Sequence, residues 1–325
     1  MQQNKFTKLS WVGLIQVGCL GVAACSLAPF FSGLFWFLDL LSSFRLQYLI
    51  LSVVFVVVFL VARQTTYAAI SLMCVVINAM YVVPVLTSQK HAPDGEYNHR
   101  IKLFHANVYT ANQNHDQLIQ QVLSEKPDVV LLQEVNTRWM SKLGALKSQY
   151  THTIEIPRED NFGIAVRSQI PIADYQIHDW TAVDVPSIEF ELTLDTSSIR
   201  IISTHPPPPV NQYYHQAGIQ QFKAIAKTLK VQDQHTVVIG DLNATGWSDH
   251  YPILINDTGL INASNGHGLA PTWPIHLLPF MIPIDHCLVS KELNVISFKT
   301  GESFGSDHLP LVVELGLNQH VGLFY

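Results

Sequence analysis

The string Val237-Val238-Ile239-Gly240-Asp241-Leu242-Asn243 sets a carboxylate and a carboxamide two residues apart at the end of an apolar run. Thr236 to Ile239 is β-branched throughout and bounded by Gly240, the pattern of a buried strand. In an extended chain Asp241 and Asn243 share one side and Leu242 points to the other. Two hard oxygen donors at a strand end suit a divalent cation or a phosphate-bearing ligand. Standing alone, the same string is also an ordinary Asx turn. The rest of the chain decides between the two.

The same punctuation recurs. Asn107 closes the run from Ile101, Glu134 closes the run from Pro127, and His205 closes Ile199 to Thr204. Asp285 opens His286 to Val289, and Asp307-His308 opens Leu309 to Leu315. If the two later strands run antiparallel to the earlier ones, all six positions meet on one rim, where α/β enzymes place ligands. Asn107, Glu134, Asp241, Asn243 and Asp307 are oxygen donors without any Cys-x-x-Cys or His-x-x-x-His beside them. Such a set selects Mg²⁺, Mn²⁺ or Ca²⁺ over zinc. His205 and His308 exchange protons near neutrality, and Asp285 is placed to fix the tautomer of one of them. An acidic cluster with two histidines suits attack of water on a phosphoester. One His–Asp pair accepts a proton from water, and the other histidine protonates the leaving oxygen.

These positions need a sheet assembly, and strand and helix patterns alternate from Arg100 onward. Helical spacing marks Asp116–Ser124, Arg138–Lys147 and Tyr213–Leu229, with strand-like runs at Phe162–Arg167 and Ser187–Leu194. The class is α/β. Residues 88–99 are polar and read as a linker.

Ahead of that linker the composition changes. Residues 1–87 carry only Lys5, Lys8, Arg45, Arg63 and Asp39 as charges, and all 15 histidines follow. Three apolar stretches, about Trp11–Pro29, Leu46–Val61 and Tyr67–Leu86, approach the ~20 residues that cross a bilayer. The aromatic stretch Phe30–Leu41 is expected either to extend the first span or to lie along the interface. Val22-Ala23-Ala24-Cys25 resembles a lipoprotein cleavage box, but two more spans follow and make an acyl anchor redundant. With Lys5, Lys8 and Arg63 inside, three spans predict a multi-pass inner-membrane protein whose catalytic domain is periplasmic or otherwise extracytoplasmic. Residues 88–325 hold 15 basic and 24 acidic side chains, a formal −9 that weighs against a dedicated nucleic-acid binder.

The motifs His-Ala-Asn107, Leu-Leu-Gln-Glu134, Ser-Thr-His205, Gly-Asp241-Leu-Asn243-Ala-Thr, Ile-Asp285-His and Ser-Asp307-His308-Leu-Pro stand in the order of a known superfamily. From about residue 100 to 316 the chain resembles the endonuclease/exonuclease/phosphatase superfamily, and a membrane-anchored bacterial branch of it. The resemblance implies a four-layer α/β/β/α sandwich over residues 100–325, behind an N-terminal transmembrane region. It also implies Glu134 as the main ligand of Mg²⁺ or Mn²⁺, helped by Asn107 and Asp307. His308 would be the general base oriented by Asp285, with Asp241 and Asn243 on the phosphate or the nucleophile. Where abasic endonucleases tend to carry a tyrosine and an aspartate, this chain has His205 and Tyr109, which moves it toward deoxyribonuclease, sphingomyelinase and phosphatase branches.

The expected activity is metal-dependent hydrolysis of a phosphoester borne by a lipid, a small molecule or a nucleic acid, at an integral membrane protein; nothing in the sequence points to a protein partner. A nonspecific extracytoplasmic deoxyribonuclease and a non-catalytic membrane-tethered binding module are the alternatives. Trp247 and Trp273 are candidates to line the substrate entrance, with core packing as the other role. His286 should face away from Asp285 along its strand. Ile275 to Ile284 is apolar and leads into Asp285: it either touches the bilayer or packs against the sheet.

Overall fold

A computed structural model describes residues 10–88, 97–195, 197–229 and 235–317. The expected linker at 88–99 therefore lies mostly outside the described residues. The chain divides into two units, Met1–Pro84 and Val85–Tyr325.

In the first unit, α1 (Trp11–Leu27) leads through two 3₁₀ helices to α2 (Arg45–Val61), and a tight turn leads on to α3 (Thr65–Thr87). Ser10 caps α1, its hydroxyl oxygen accepting from the Gly13 amide at 3.0 Å. With the flanking turns, the spans Trp11–Phe31, Trp36–Val61 and Thr65–Thr87 are long and apolar enough to cross a membrane. The aromatic stretch splits between two of them. Ala28–Phe31 prolongs α1, whereas Trp36–Phe44 winds as a 3₁₀ helix into α2, the chain opening to an extended Phe35 between them. Cys19, Phe59 and Ala68 pack the helices together. Arg45 is buried among them, its Nη1 donating to the Ser26 carbonyl at 2.9 Å and to Asn78 Oδ1 at 3.3 Å. Its guanidinium also lies 4.2 Å from the Tyr81 ring centroid.

The second unit begins its sheets with β1 (His99–Asn107), α4 (His115–Glu125), β2 (Val129–Gln133), α5 (Thr137–Lys142), β3 (His152–Ile156) and β4 (Ile164–Ser168). It continues through β5 (Ile172–Asp179), β6 (Pro186–Thr193), β7 (Ser198–Ser203), α6 (Gln212–Leu229), β8 (His235–Asp241) and α7 (Pro252–Asn256). The last strands are β9 (Ile261–Asn262), β10 (Asp285–Val289), β11 (Asn294–Thr300) and β12 (Leu311–Leu317). Among the described residues these strands make two six-stranded mixed sheets, ordered β11-β12-β1-β2-β4-β3 and β5-β6-β7-β8-β10-β9. As the rim requires, β12 runs antiparallel to β1, and β10 antiparallel to β8.

Alternation along the strands sorts their side chains into layers. Ile101, Leu103, Val129, Leu131, Ile199, Ile201, Val237, Ile239, Cys287 and Val289 fill the space between the sheets. The opposite faces bury Phe104, Val130 and Leu132 with Leu118 and Val122 of α4, and Ile202, Val238 and Leu288 with Phe222 and Ile225 of α6. The result is the four-layer α/β/β/α sandwich. Each fully buried aliphatic side chain contributes about 1.5–3 kcal/mol through removal from water. Leu131, in the middle of the inner layer, is a position where truncation to alanine costs about 2–5 kcal/mol.

The same period of two locates the chemistry. Continuing from Leu103 gives His105 and Asn107, from Leu131 gives Gln133, from Ile239 gives Asp241, and from Cys287 back along the strand gives Asp285. All five belong to the inward faces, so the apolar core between the sheets ends in a polar layer at one edge. His286 falls on the outer face, where burial holds its imidazole neutral. Its Nε2–H donates to the Ala244 carbonyl at 2.9 Å and its Nδ1 accepts from Asn262 at 3.1 Å, which pins the turn after β8.

Candidate active site

Asp241 and Asp285 are cross-strand partners in the β8–β10 ladder, and both are buried. Two acids this close repel each other and lose hydration, so each needs compensation. For Asp285 it comes from imidazoles on both sides. His105 Nε2 donates to Oδ1 at 2.9 Å and His308 Nδ1 donates to Oδ2 at 2.8 Å. Burial pushes this carboxyl up, but the two histidines outweigh it and hold it far below the usual carboxylate range. Burial likewise disfavours charge on His308, yet the Asp285 and Asp241 carboxylates raise its pKa to about 10.

Asp241 is the meeting point of the rim. Its Oδ2 receives Asn107 Nδ2 at 3.1 Å and lies 3.5 Å from His205 Nε2 and 3.6 Å from His308 Nε2. Its Oδ1 accepts from the Asn243 amide at 2.9 Å. Desolvation pushes the Asp241 carboxyl up, and the neighbouring imidazoles pull it below its usual range. His205 is raised in turn, Asp241 overcoming the effect of burial. The expectation that Asp241 and Asn243 project side by side from an extended chain is not met. Asn243 takes a left-handed conformation at φ 49°, and its Nδ2 donates to the Pro206 carbonyl at 2.9 Å. The turn thereby ties the end of β8 to the chain just beyond His205.

Across the gap, β2 ends and the backbone turns sharply at Glu134 (φ 60°). A β-branched or charged side chain in this region costs roughly 1 kcal/mol, which contacts around it must offset. Thr110 does so from the loop after β1: its hydroxyl donates to the Glu134 carbonyl at 2.9 Å and its amide to Oε2 at 3.2 Å. Asn107 Nδ2 donates to Oε1 at 2.9 Å, so this amide bridges Glu134 and Asp241. Glu134 remains half-buried. Asp307 is half-buried too, and its Oδ2 accepts from Trp273 Nε1 at 2.9 Å.

Gln133 spans the two sheets. Its Oε1 accepts from the Asp241 amide at 2.9 Å and its Nε2 donates to the Thr204 carbonyl at 2.7 Å. The approach requires Gly240, since a Cβ there would collide with the Thr204 carbonyl oxygen and with Gln133 Nε2.

The structure therefore brings Asn107, Glu134, His205, Asp241, Asn243, Asp285 and His308 to one rim. Trp273 joins them through Asp307 and by a ring-centroid distance of 6.3 Å to His308. Trp247 is buried and lines a cavity with Tyr251, Asn262, His286 and Asp285. Sequence reasoning passed over His105, Gln133 and Thr110. The first two were detectable as polar residues on the inward face of strands that are otherwise apolar there.

The donor set fits a divalent cation. Among the described residues, the ion pairs made by lysine and arginine involve none of Glu134, Asp241, Asp285 or Asp307. The rim is thus rich in carboxylate and short of permanent cations. Asp241, Asp285 and His308 bring ligand atoms within 4.8 Å of one another. Asp285 and His308 are already committed to each other, however, and both are buried. The half-buried oxygens of Glu134 and Asp307 are the more accessible donors.

A rim of carboxylates and imidazoles at the edge of two mixed sheets suits metal-assisted hydrolysis of a phosphoester. Residues 104–308 match the Endonuclease/Exonuclease/phosphatase family, and the chain belongs to it. Solved structures agree on the fold. An endonuclease/exonuclease/phosphatase from Beutenbergia cavernae is 18% identical with a TM-score of 0.56, covering 67% of this chain and 72% of that one. D. rerio TDP2 complexed with single strand DNA product is 15% identical, TM-score 0.57, covering 67% and 100%. Sphingomyelinase C from Streptomyces griseocarneus is 16% identical, TM-score 0.51, covering 68% and 100%. No curated protein sequence matches this chain.

Proposed function

We propose that this protein is a membrane-anchored phosphoesterase that uses Mg²⁺ or Mn²⁺ to hydrolyse a phosphodiester or phosphomonoester by attack of water. The observation that carries the reading is the convergence of Asn107, His205 and His308 on one oxygen of Asp241, with Asp285 behind His308.

In this reading Glu134, Asn107 and Asp307 would hold the cation. When bound, the ion draws charge from the phosphoryl oxygens and lowers the proton affinity of His308. Asp285 keeps the Nδ1 proton of His308, which leaves Nε2 to take a proton from the attacking water. Asp241 and Asn243 orient that water or the phosphate, and His205 delivers a proton to the leaving oxygen. Trp273, fixed through Asp307, lines the entrance. Trp247, the other aromatic candidate, contributes from the cavity behind the turn after β8.

The three apolar spans support an inner-membrane, multi-pass anchor, and the positions of Lys5, Lys8 and Arg63 support an extracytoplasmic catalytic domain. A second reading, an extracytoplasmic deoxyribonuclease, draws on the likeness to D. rerio TDP2, solved with a single strand DNA product. The −9 balance of residues 88–325 opposes it. Both are tested by assaying the full chain in detergent, with and without Mg²⁺ or Mn²⁺, on bis(p-nitrophenyl) phosphate, plasmid DNA and phospholipid. Activity that survives Asp241→Ala would overturn the assigned site.

A further inference from the structure

Residues 274–284 form an excursion from the rim with a tightly held base and large exposed apolar side chains at its tip. At the base, the Ile282 amide donates to the Trp273 carbonyl at 2.6 Å and the Trp273 amide to the Ile282 carbonyl at 3.2 Å. The Ile275 amide donates to the Asp307 carbonyl at 3.0 Å, and the Leu242 amide to the Ile284 carbonyl at 2.8 Å. The Asp285 amide donates to Thr272 Oγ1 at 3.4 Å. The excursion is therefore braced against both sides of the site, at Asp307 and at Asp241–Asp285.

The tip does not pack on the sheet. Leu277 is 56% exposed, Leu278 74% and Phe280 55%. The single 3₁₀ turn Leu278–Phe280 buries none of its residues. From Pro274 to Ile284 the chain has no Asp, Glu, Lys or Arg, in a domain whose formal charge is −9. A cluster of large exposed aliphatic and aromatic groups marks an interaction surface, and one without charge suits the acyl region of a bilayer. The same chain carries three spans long and apolar enough to cross a membrane.

We propose that the Leu277–Phe280 tip enters the outer layer of a phospholipid bilayer, so that the site takes its phosphoester from the bilayer surface. The inference rests on the membrane-anchored phosphoesterase reading. A rigid base with an apolar tip fixes the height of Asp241 and His308 above the lipid. A headgroup phosphate then meets the site without leaving the membrane.

The test uses the full chain reconstituted in vesicles of phosphatidylcholine and phosphatidylglycerol. Cys19, Cys74 and Cys287 are buried and Cys25 is half-buried, so Leu278→Cys supplies the accessible thiol for an environment-sensitive fluorophore. Tyr175→Cys, on the exposed face of β5, is the control. The 278 probe is expected to report an apolar medium and to be quenched by spin-labelled lipid, while the 175 probe reports water. A second arm compares Leu277→Ser/Leu278→Ser with the parent. Hydrolysis of vesicle phospholipid is expected to fall about tenfold or more when the area of two leucines is withheld from lipid, with bis(p-nitrophenyl) phosphate turnover unchanged. A 278 probe in water, or equal turnover of vesicle lipid by parent and double variant, overturns the docking. A parent inactive on both substrates overturns the phosphoesterase reading instead, and the probe positions still decide the docking.

Discussion

Where β1 and β2 reach the rim, the side chains are Asn107 and Glu134, with Thr110 beside them. The backbone there bends through left-handed residues at Tyr109 and Glu134, and Glu134 stays only half-buried. Where β8 and β10 reach it, Asp241 and Asp285 are buried, and imidazoles lie against both carboxylates, His105 and His308 on Asp285 and His205 and His308 beside Asp241. One half leaves oxygen donors short of positive charge. The other half has closed its charges on itself. The contrast explains how one rim can take up a cation and also keep proton carriers in a fixed relation to one another. Accessible oxygens can change ligands at little cost, whereas a buried acid pair without its histidines costs several kcal/mol.

Substitutions on each side should break this contrast in different ways. The largest effect is expected at Asp241. Asp241→Ala removes the oxygen shared by three groups and should lower kcat on bis(p-nitrophenyl) phosphate about 10³-fold, with near-normal binding of Mn²⁺ by calorimetry. A variant that lost metal and kept residual rate would place Asp241 on the cation instead.

Asp285→Asn addresses the closed half alone. In the metal-free chain His308 should titrate near pH 10 by NMR, and in the variant its pKa should fall toward the ordinary imidazole value of about 6.5. The sign for stability follows. His308, raised when folded, stabilises fully below its unfolded pKa, and the contribution is lost as pH rises through about 10. Asp285, depressed when folded, stabilises above its unfolded pKa and loses that contribution as pH falls into the acid range. Denaturant midpoints across pH should show both flanks in the parent and shallower ones in the variant, where Asp241 and its imidazoles remain.

Glu134→Gln tests the open half. Apparent Mn²⁺ affinity should weaken about 10–100-fold while the His308 titration stays in place. Chelation should remove the parent's activity and either Mg²⁺ or Mn²⁺ should restore it. The smallest effect is expected for His105→Gln, which keeps a donor near Asp285 Oδ1. A loss of about threefold to tenfold in kcat, with the His308 titration displaced, would show that His105 acts through Asp285. Unchanged His308 would confine it to packing.

Much of this was legible in the chain because strands alternate. Polar residues ending or opening apolar runs located Asn107, Glu134, His205, Asp241, Asp285 and His308, and the antiparallel return of β10 and β12 brought them together. What escaped has physical causes. His105 lies inside its strand, one layer below the rim, and Gln133 ends β2 directly beside the more conspicuous Glu134, so neither carries a mark of its own. Strand β5 is an edge with nearly every side chain exposed, so it lacks the alternation that betrays a half-buried strand. The bend at Asn243 came from a left-handed backbone that an extended reading does not anticipate. The aromatic stretch after Pro29 divided at Phe35 because the chain opens there, a break that hydropathy alone does not register.

Gln133 makes the rim depend on how the two sheets are spaced. It joins the end of β2 to those of β7 and β8, and the groups that meet at Asp241 come from both sheets. Any change in the spacing of the sheets is therefore read first as a change in reach between Asn107, Asp241 and His308. Local loosening at a sheet end requires less free energy than global unfolding. Warming should silence the site while the sandwich beneath it still holds its shape.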